Sequence, residues 1–321
     1  MLATMVQRRR GMTLVELLVV ISILGLLAVT VIPNISNTSD RRKVREAARA
    51  LSSFIAGGQS RALGSRNGGG VWIDLLPNGI SNGTIALGAA IDLADADVGM
   101  SYAGDSTSSK VAFSYTTLST TAAVTFTGGC TPPSNGNNLI RLENSPALFR
   151  FTSTSGTTGE ISMRSDANQT IANTFWPRSG SSVSYEIIGP PTRSPANTLT
   201  LGDGVAIDLY HSSSGTTTFP NLTAPTSIAS GTAFQILYDS AGRPQYLACN
   251  GLRTAINEPL FLLVASIESI QSSGSLAPVD GYWVAIDPRG GIPKIAEVNR
   301  SGSTIEAQQS FIRSGAVQYG R

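Results

Sequence analysis

The stretch Gly11–Pro33, GMTLVELLVVISILGLLAVTVIP, decides how the chain is read. Charge and apolarity change abruptly at Gly11. The preceding segment is polar and ends in Arg8, Arg9 and Arg10, whereas Leu17 to Ile32 contains no charged side chain. As a helix, Met12 to Val31 rises about 30 Å, the thickness of a bilayer's hydrocarbon core. The arginines ahead of it predict, by the positive-inside rule, a cytoplasmic N-terminus and an external location for everything after Pro33. Glu16 lies inside this apolar span. A carboxylate there costs about 2.5–3.5 kcal/mol on insertion scales, so it asks for a partner. An ordinary secretory signal peptide explains the basic start, but its apolar core is shorter. It also needs a small-residue cleavage site, where this chain instead runs through Pro33-Asn34-Ile35 into a charged helical pattern. A plain single-pass anchor leaves Glu16 unexplained.

Downstream, Val44, Ala48, Leu51, Ile55 and Ala62 recur at helical spacing, with Arg41, Arg42, Arg45, Glu46 and Arg49 supplying charge, which predicts an amphipathic helix. Ser39 or Asp40 caps it if Pro33 and Asn34 interrupt the backbone; otherwise one helix runs through with a bend. Gly57-Gly58 weaken it by about 1 kcal/mol each relative to alanine, so its end is expected between Gly58 and Gly64. After Asn67–Gly70 the pattern changes to short β-like runs. These are Val71–Leu76, Val111–Tyr115, Ala122–Phe126, Ala147–Thr152, Ser182–Ile188, Val205–Leu209, Ala233–Tyr238, Leu260–Val264, Tyr282–Ile286 and a last strand near Ile295. Ser101–Ser109 and Ser153–Gly159 are expected to be exposed loops. Hydrophobic residues at 41% and charged residues at only 14% suit a β-rich head and not long soluble helices. The fold class is α+β.

Gly11 followed by MTLVELLVVISILGLLA resembles the prepilin cleavage and methylation motif of type IV pilins and type II secretion pseudopilins. That resemblance implies cleavage after Gly11 by a prepilin peptidase, which methylates the new amino terminus at Met12. It implies that Glu16 neutralises the amino terminus of a neighbouring subunit during assembly, and that Pro33 is the family's helix-kinking proline. Methionine at the first mature position departs from the usual phenylalanine. The helix residues AARALSSFIAGGQSRALGSRNGG followed by GVWIDL are similar to minor pseudopilins of the GspH/FimT family, as are Phe234–Arg243 and Tyr282–Gly290, each a strand ending at a glycine turn. The head is about twice the usual size, with an insertion expected between about Gly79 and Gly180.

The implied organisation is a leader over 1–11, a transmembrane half-helix over 12–33, an amphipathic half-helix over 34–66 and an extracytoplasmic head over 67–321. The fold is then pilin-like, a long N-terminal helix packed on an enlarged antiparallel sheet. The implied role is a structural subunit of a type II secretion pseudopilus in the bacterial inner membrane, or alternatively a type IV pilus minor pilin serving biogenesis, adhesion or DNA uptake. Its partners are other subunits, the peptidase and the membrane.

Other chemistries find little support. Loss of Arg8–Arg10 with the leader takes the 23 basic side chains to 20 against 21 acidic, too balanced for general attraction to nucleic acid. Arg243, Arg313 and Arg321 are separated and read as surface charge. Cys130 and Cys249 form no CxxC motif; they are a disulfide or two buried thiols. The single histidine, His211, reads as a solvated loop residue, with no G-x-S-x-G elbow to support catalysis. Asp92, Asp95 and Asp97 read as an acidic loop, lacking the EF-hand order. No nucleotide motif is present. Trp72, Trp176 and Trp283 read as core or sheet aromatics. No enzyme activity, small-molecule substrate, cofactor or metal is expected.

Overall fold

The computed structural model describes residues 13–65, 68–75, 80–82, 85–87, 89–97, 101–102, 110–115, 121–127, 138–143, 148–162, 180, 182–215, 217–218, 233–249, 252–274, 276–278 and 280–314. It is a mixture of helix and antiparallel sheet. Two compact units result, Met1–Lys43 and Val44–Arg321. Helix α1 (Leu14–Leu63) continues through Pro33 and ends inside the expected Gly58–Gly64 window. The alternative of a fresh cap at Ser39 or Asp40 is therefore not taken.

The strands in chain order are β1 (Gly69–Leu75), β2 (Ile80–Asn82), β3 (Ile85–Leu87), β4 (Ala89–Asp97), β5 (Ser101–Tyr102), β6 (Val111–Ser114) and β7 (Thr121–Phe126). Next come β8 (Asn138–Leu142), β9 (Leu148–Ser155), β10 (Thr158–Ser162), β11 (Ser182–Val183), β12 (Tyr185–Ile188), β13 (Thr192–Thr200), β14 (Val205–Ser214) and β15 (Thr217–Thr218). The chain closes with β16 (Ala233–Tyr238), β17 (Pro244–Cys249), β18 (Leu252–Ala255), β19 (Leu260–Ser266), α2 (Ile267–Ser272), β20 (Tyr282–Ile286), β21 (Pro293–Glu297), α3 (Ile305–Gln308) and α4 (Ser310–Arg313).

The larger sheet has the order β18-β17-β16-β1-β4-β14-β19-β20-β21, with β13 also on β4 and β15 on β14. Strand alternation sorts its apolar residues into two cores. Leu260, Leu262 and Val264 of β19 join Val44, Leu51 and Ile55 of α1 in one core. Phe261 and Leu263 join Trp283, Val298 and Ile312 in the other. Burial on both faces explains why β19 is a continuous apolar run rather than an alternating one.

Contact with α1 depends on two close approaches. A Cβ on Gly58 would lie 2.8 Å from Val71 Cγ2, so this glycine lets β1 sit against the helix. That packing role offsets its low helix propensity. One turn further on, Gln59 Nε2 donates to the carbonyls of both Gly242 (2.9 Å) and Gly290 (2.7 Å). These carbonyls belong to the turns after β16 and β20, strands five steps apart in the sheet. A flat sheet would separate them by roughly 24 Å. The sheet therefore curls around the helix, and Gln59 fastens its two sides together. The β16–β17 turn is organised by Asp239 Oδ1, which accepts from the amides of Ala241 and Arg243, and by Gly242 at φ +73°.

The second sheet has the order β11-β6-β7-β10-β9-β8-β12-β5. Its ends are the same piece of chain, because only Ser184 separates β11 from β12. Val183 pairs with Val111 on β6, while Tyr185 pairs with Leu142 on β8. Ser182–Ile188 thus closes the sheet into a small barrel. The Phe126 and Tyr185 rings confirm closure: their centroids are 4.9 Å apart although β7 and β12 are four strand steps apart, roughly 19 Å if flat. Phe113, Phe126, Phe149, Phe151, Ile161 and Ile187 fill the interior.

The barrel stems from one hairpin, since β4 pairs with β13 and the last pair is Asp97 with Thr192. The insertion therefore occupies 98–191, rather than about 79–180. Two loop expectations also change. Ser153–Gly159 is a tight hairpin between β9 and β10, turning at Gly156 with φ +50°, and Ser101–Tyr102 forms β5.

Replacing residues 98–191 by Asn-Gly should leave the larger sheet folded, because that dipeptide closes a two-residue hairpin. Near-ultraviolet circular dichroism of buried Trp283 will report it; loss of that signal contradicts the insertion boundary. Gln59→Ala should destabilise a 44–321 fragment by about 1–2 kcal/mol in urea unfolding.

Candidate functional site

At the start of α1 the sequence Thr13-Leu-Val-Glu16 forms a capping box. Glu16 N donates to Thr13 Oγ1 (3.2 Å), and Glu16 Oε2 accepts from Thr13 N (2.9 Å) and Thr13 Oγ1 (3.1 Å). The carboxylate that the sequence left without a partner has one in its own helix. Beyond it the helix is apolar all round and uncovered: Leu14 is 78% exposed, Leu18 59%, Ile21 60% and Leu26 71%. No face of this segment is shielded by the chain itself.

Among the described residues, no helix is long and apolar enough to cross a membrane. The described apolar side chains run from Leu14 to Leu26, roughly 20 Å of helix against the roughly 30 Å required. The expected span from Met12 to Val31 begins before the described residues and passes into 27–39, where only the backbone is described. Gly11 and Met12 also lie outside the described residues, and the side chain of Pro33 is among those not described.

Residues 6–32 match the family model described as the prokaryotic N-terminal methylation motif. The chain is type IV pilin-like. The motif implies processing by a prepilin peptidase and assembly with other pilins, and marks a membrane-anchored or pilus-associated protein. Comparison with curated proteins and with solved structures finds no match. The matched segment ends before the head, so the GspH/FimT resemblance gains nothing from it.

In the pilin-like chain's head, the structure corrects the reading of His211. It is 2% exposed and lies within β14. Between the pairs Asp208–Leu263 and Ser213–Phe261, four residues of β14 oppose the single Leu262 of β19. Asp208 organises this bulge. Its Oδ1 accepts from the amides of Tyr210 (3.0 Å) and His211 (3.2 Å), and its Oδ2 lies 2.5 Å from His211 Nδ1. Ser212 Oγ donates to the Asp208 carbonyl and accepts from Leu263 N. His211 Nε2 faces the Gly274 carbonyl at 3.1 Å. Both ring nitrogens thus meet acceptors, and no serine hydroxyl reaches either one. The arrangement braces a bulge and joins β14 to the Gly274 loop; it lacks the nucleophile–base contact that acyl transfer needs.

The remaining candidates are dispersed. Asp92, Asp95 and Asp97 are not in a loop but in β4, and strand alternation assigns Asp92 to the face opposite the other two. Arg313 is not a surface charge: it donates to Gln309 Oε1 and the Gly215 carbonyl and lies 4.5 Å from the centre of the Phe261 ring. Arg243 is exposed at its turn, and Arg321 lies outside the described residues. Trp283 is fully buried, Trp72 donates from Nε1 to Asp74 Oδ1, and Trp176 lies outside the described residues. Cys130 and the side chain of Cys249 also fall outside them. Thr13 and Asp208 were missed from sequence; T-x-x-E spacing signals the first, whereas the second needs the bulge to be known.

Asp208→Ala should destabilise the head by about 3 kcal/mol, since two amides and an imidazole lose their acceptor in a buried site. Equilibrium unfolding in urea measures this, with Asp208→Asn expected to lose less.

Proposed function

We propose that the chain is a structural minor pseudopilin of a type II secretion pseudopilus, of GspH/FimT type, anchored in the bacterial inner membrane through residues 12–33 before assembly. The observation that carries this reading is the methylation motif at 6–32 joined to a helix whose apolar residues are exposed on every side. Such a surface needs lipid or neighbouring helices around it. Glu16 receives the charge of a neighbour's amino terminus, a buried pair that is costly to break. The amphipathic part of α1 docks in the head in the manner of a pilin, and the chain performs no catalysis.

A second reading, a type IV pilus minor pilin with a binding role, is favoured by the barrel over 98–191. It has its own core and is displayed on a hairpin stem, more than a purely structural head requires.

Mass spectrometry of the membrane-extracted protein should show a chain beginning at Met12 with a methylated amino group. An intact leader, or a cut near Ser36, removes the proposal. Glu16→Ala should be processed and yet fail to enter filaments.

A further inference from the structure

We infer that Thr13 is a positioning residue that fixes the Glu16 carboxylate for docking, anchoring one oxygen and leaving the other for an incoming ammonium group. The inference rests on the proposal that Glu16 meets a neighbour's amino terminus. Both Thr13 donors, the amide at 2.9 Å and the hydroxyl at 3.1 Å, go to the same atom, Glu16 Oε2. Oε1 receives no hydrogen bond among the described residues. A carboxylate oxygen has lone pairs to spare, so the anchored side chain still offers a complete acceptor.

The division of labour solves a problem that Glu16 poses before assembly. An ionised carboxylate at the edge of an apolar helix needs hydrogen bonds while no neighbour is present. Thr13 supplies two, and the uncompensated amides of the helix N-terminus add favourable charge. The same bonds remove rotamer freedom from a long side chain, so less is lost when the ammonium arrives. Only the hydroxyl of Thr13 is open to substitution, because its amide belongs to the backbone. Serine keeps that donor; valine keeps the shape and loses it.

The test uses the full chain expressed with its assembly machinery, comparing Thr13→Val, Thr13→Ser and Glu16→Gln. For each, mass spectrometry reports processing, and the share in sheared filaments relative to the membrane pool reports docking. Thr13→Ser should behave as native, Thr13→Val should enter filaments about five- to tenfold less, the equivalent of one charge-assisted hydrogen bond, and Glu16→Gln should be nearly absent. Native-like incorporation of Thr13→Val beside a defective Glu16→Gln overturns this inference alone. Native-like incorporation of Glu16→Gln removes the docking reading and this inference with it. If Thr13→Val escapes cleavage, the ¹³C carboxylate signal of Glu16 in lipid bilayers decides: it should shift in Thr13→Val and return in Thr13→Ser, and an unshifted signal overturns the contact.

Discussion

The architecture of the head depends on one constraint, the closing of a curled sheet around the amphipathic part of α1. Val44, Ala48, Leu51 and Ile55 are essentially inaccessible and supply the helix side of the core. Burial of such side chains contributes about 1.5–3 kcal/mol each for the larger ones, so this stripe dominates the attachment. Apolar contact is non-directional, however, and does not specify how far the sheet wraps. Gly58 and Gln59 provide that specification: the glycine admits β1 at close range, and the amide bonds carbonyls from two turns that a flat sheet would hold far apart.

A sheet held in this way can carry a large insertion. The barrel leaves and re-enters through adjacent residues, Asp97 and Thr192, so the ladder between β4 and β13 persists whatever lies beyond it. Arg193 pairs with Asp74 of β1 at 2.6 Å, tying the stem to the strand that contacts α1. The barrel interior uses none of the residues of the helix-bearing core. The enlarged head is thus a pilin-sized framework plus an independent core, not one core stretched to twice the volume.

Legibility in the sequence followed the physics of each element. The Val44–Ala62 stripe has a single buried face, and strands such as Ala233–Tyr238 and Tyr282–Ile286 are dense in apolar residues, so periodicity identifies them. β13 was missed because TRSPANTLT is polar and contains Pro195. The ladder shifts register between Ser194 and Thr198, and the proline falls in that irregularity, where it breaks no pairing. His211 was misread because His-Ser-Ser-Ser looks like a loop; the bulge buries these polar groups only because Asp208 and Ser212 satisfy them. Barrel closure is invisible to local pattern, since it joins Val111 to Val183 across the full insertion. At the N-terminus Glu16 stood out by its cost, while Thr13, which meets that cost, looked ordinary.

The two parts of α1 answer different surroundings. From Val44 onward one face is apolar and the opposite face charged, as suits a helix docked on its own head. From Leu14 to Leu26 there is no polar face, so no single protein surface can satisfy it; lipid or a ring of other helices can. The charges flanking the apolar run refine the expected orientation. Arg8–Arg10 precede it, but Arg41, Arg42, Lys43, Arg45 and Arg49 follow it and are exposed. A count of basic residues on both sides therefore does not favour a cytoplasmic N-terminus. Orientation rests instead on the methylation motif, whose processing enzyme must reach Gly11, and on the large folded head at the other end of the helix.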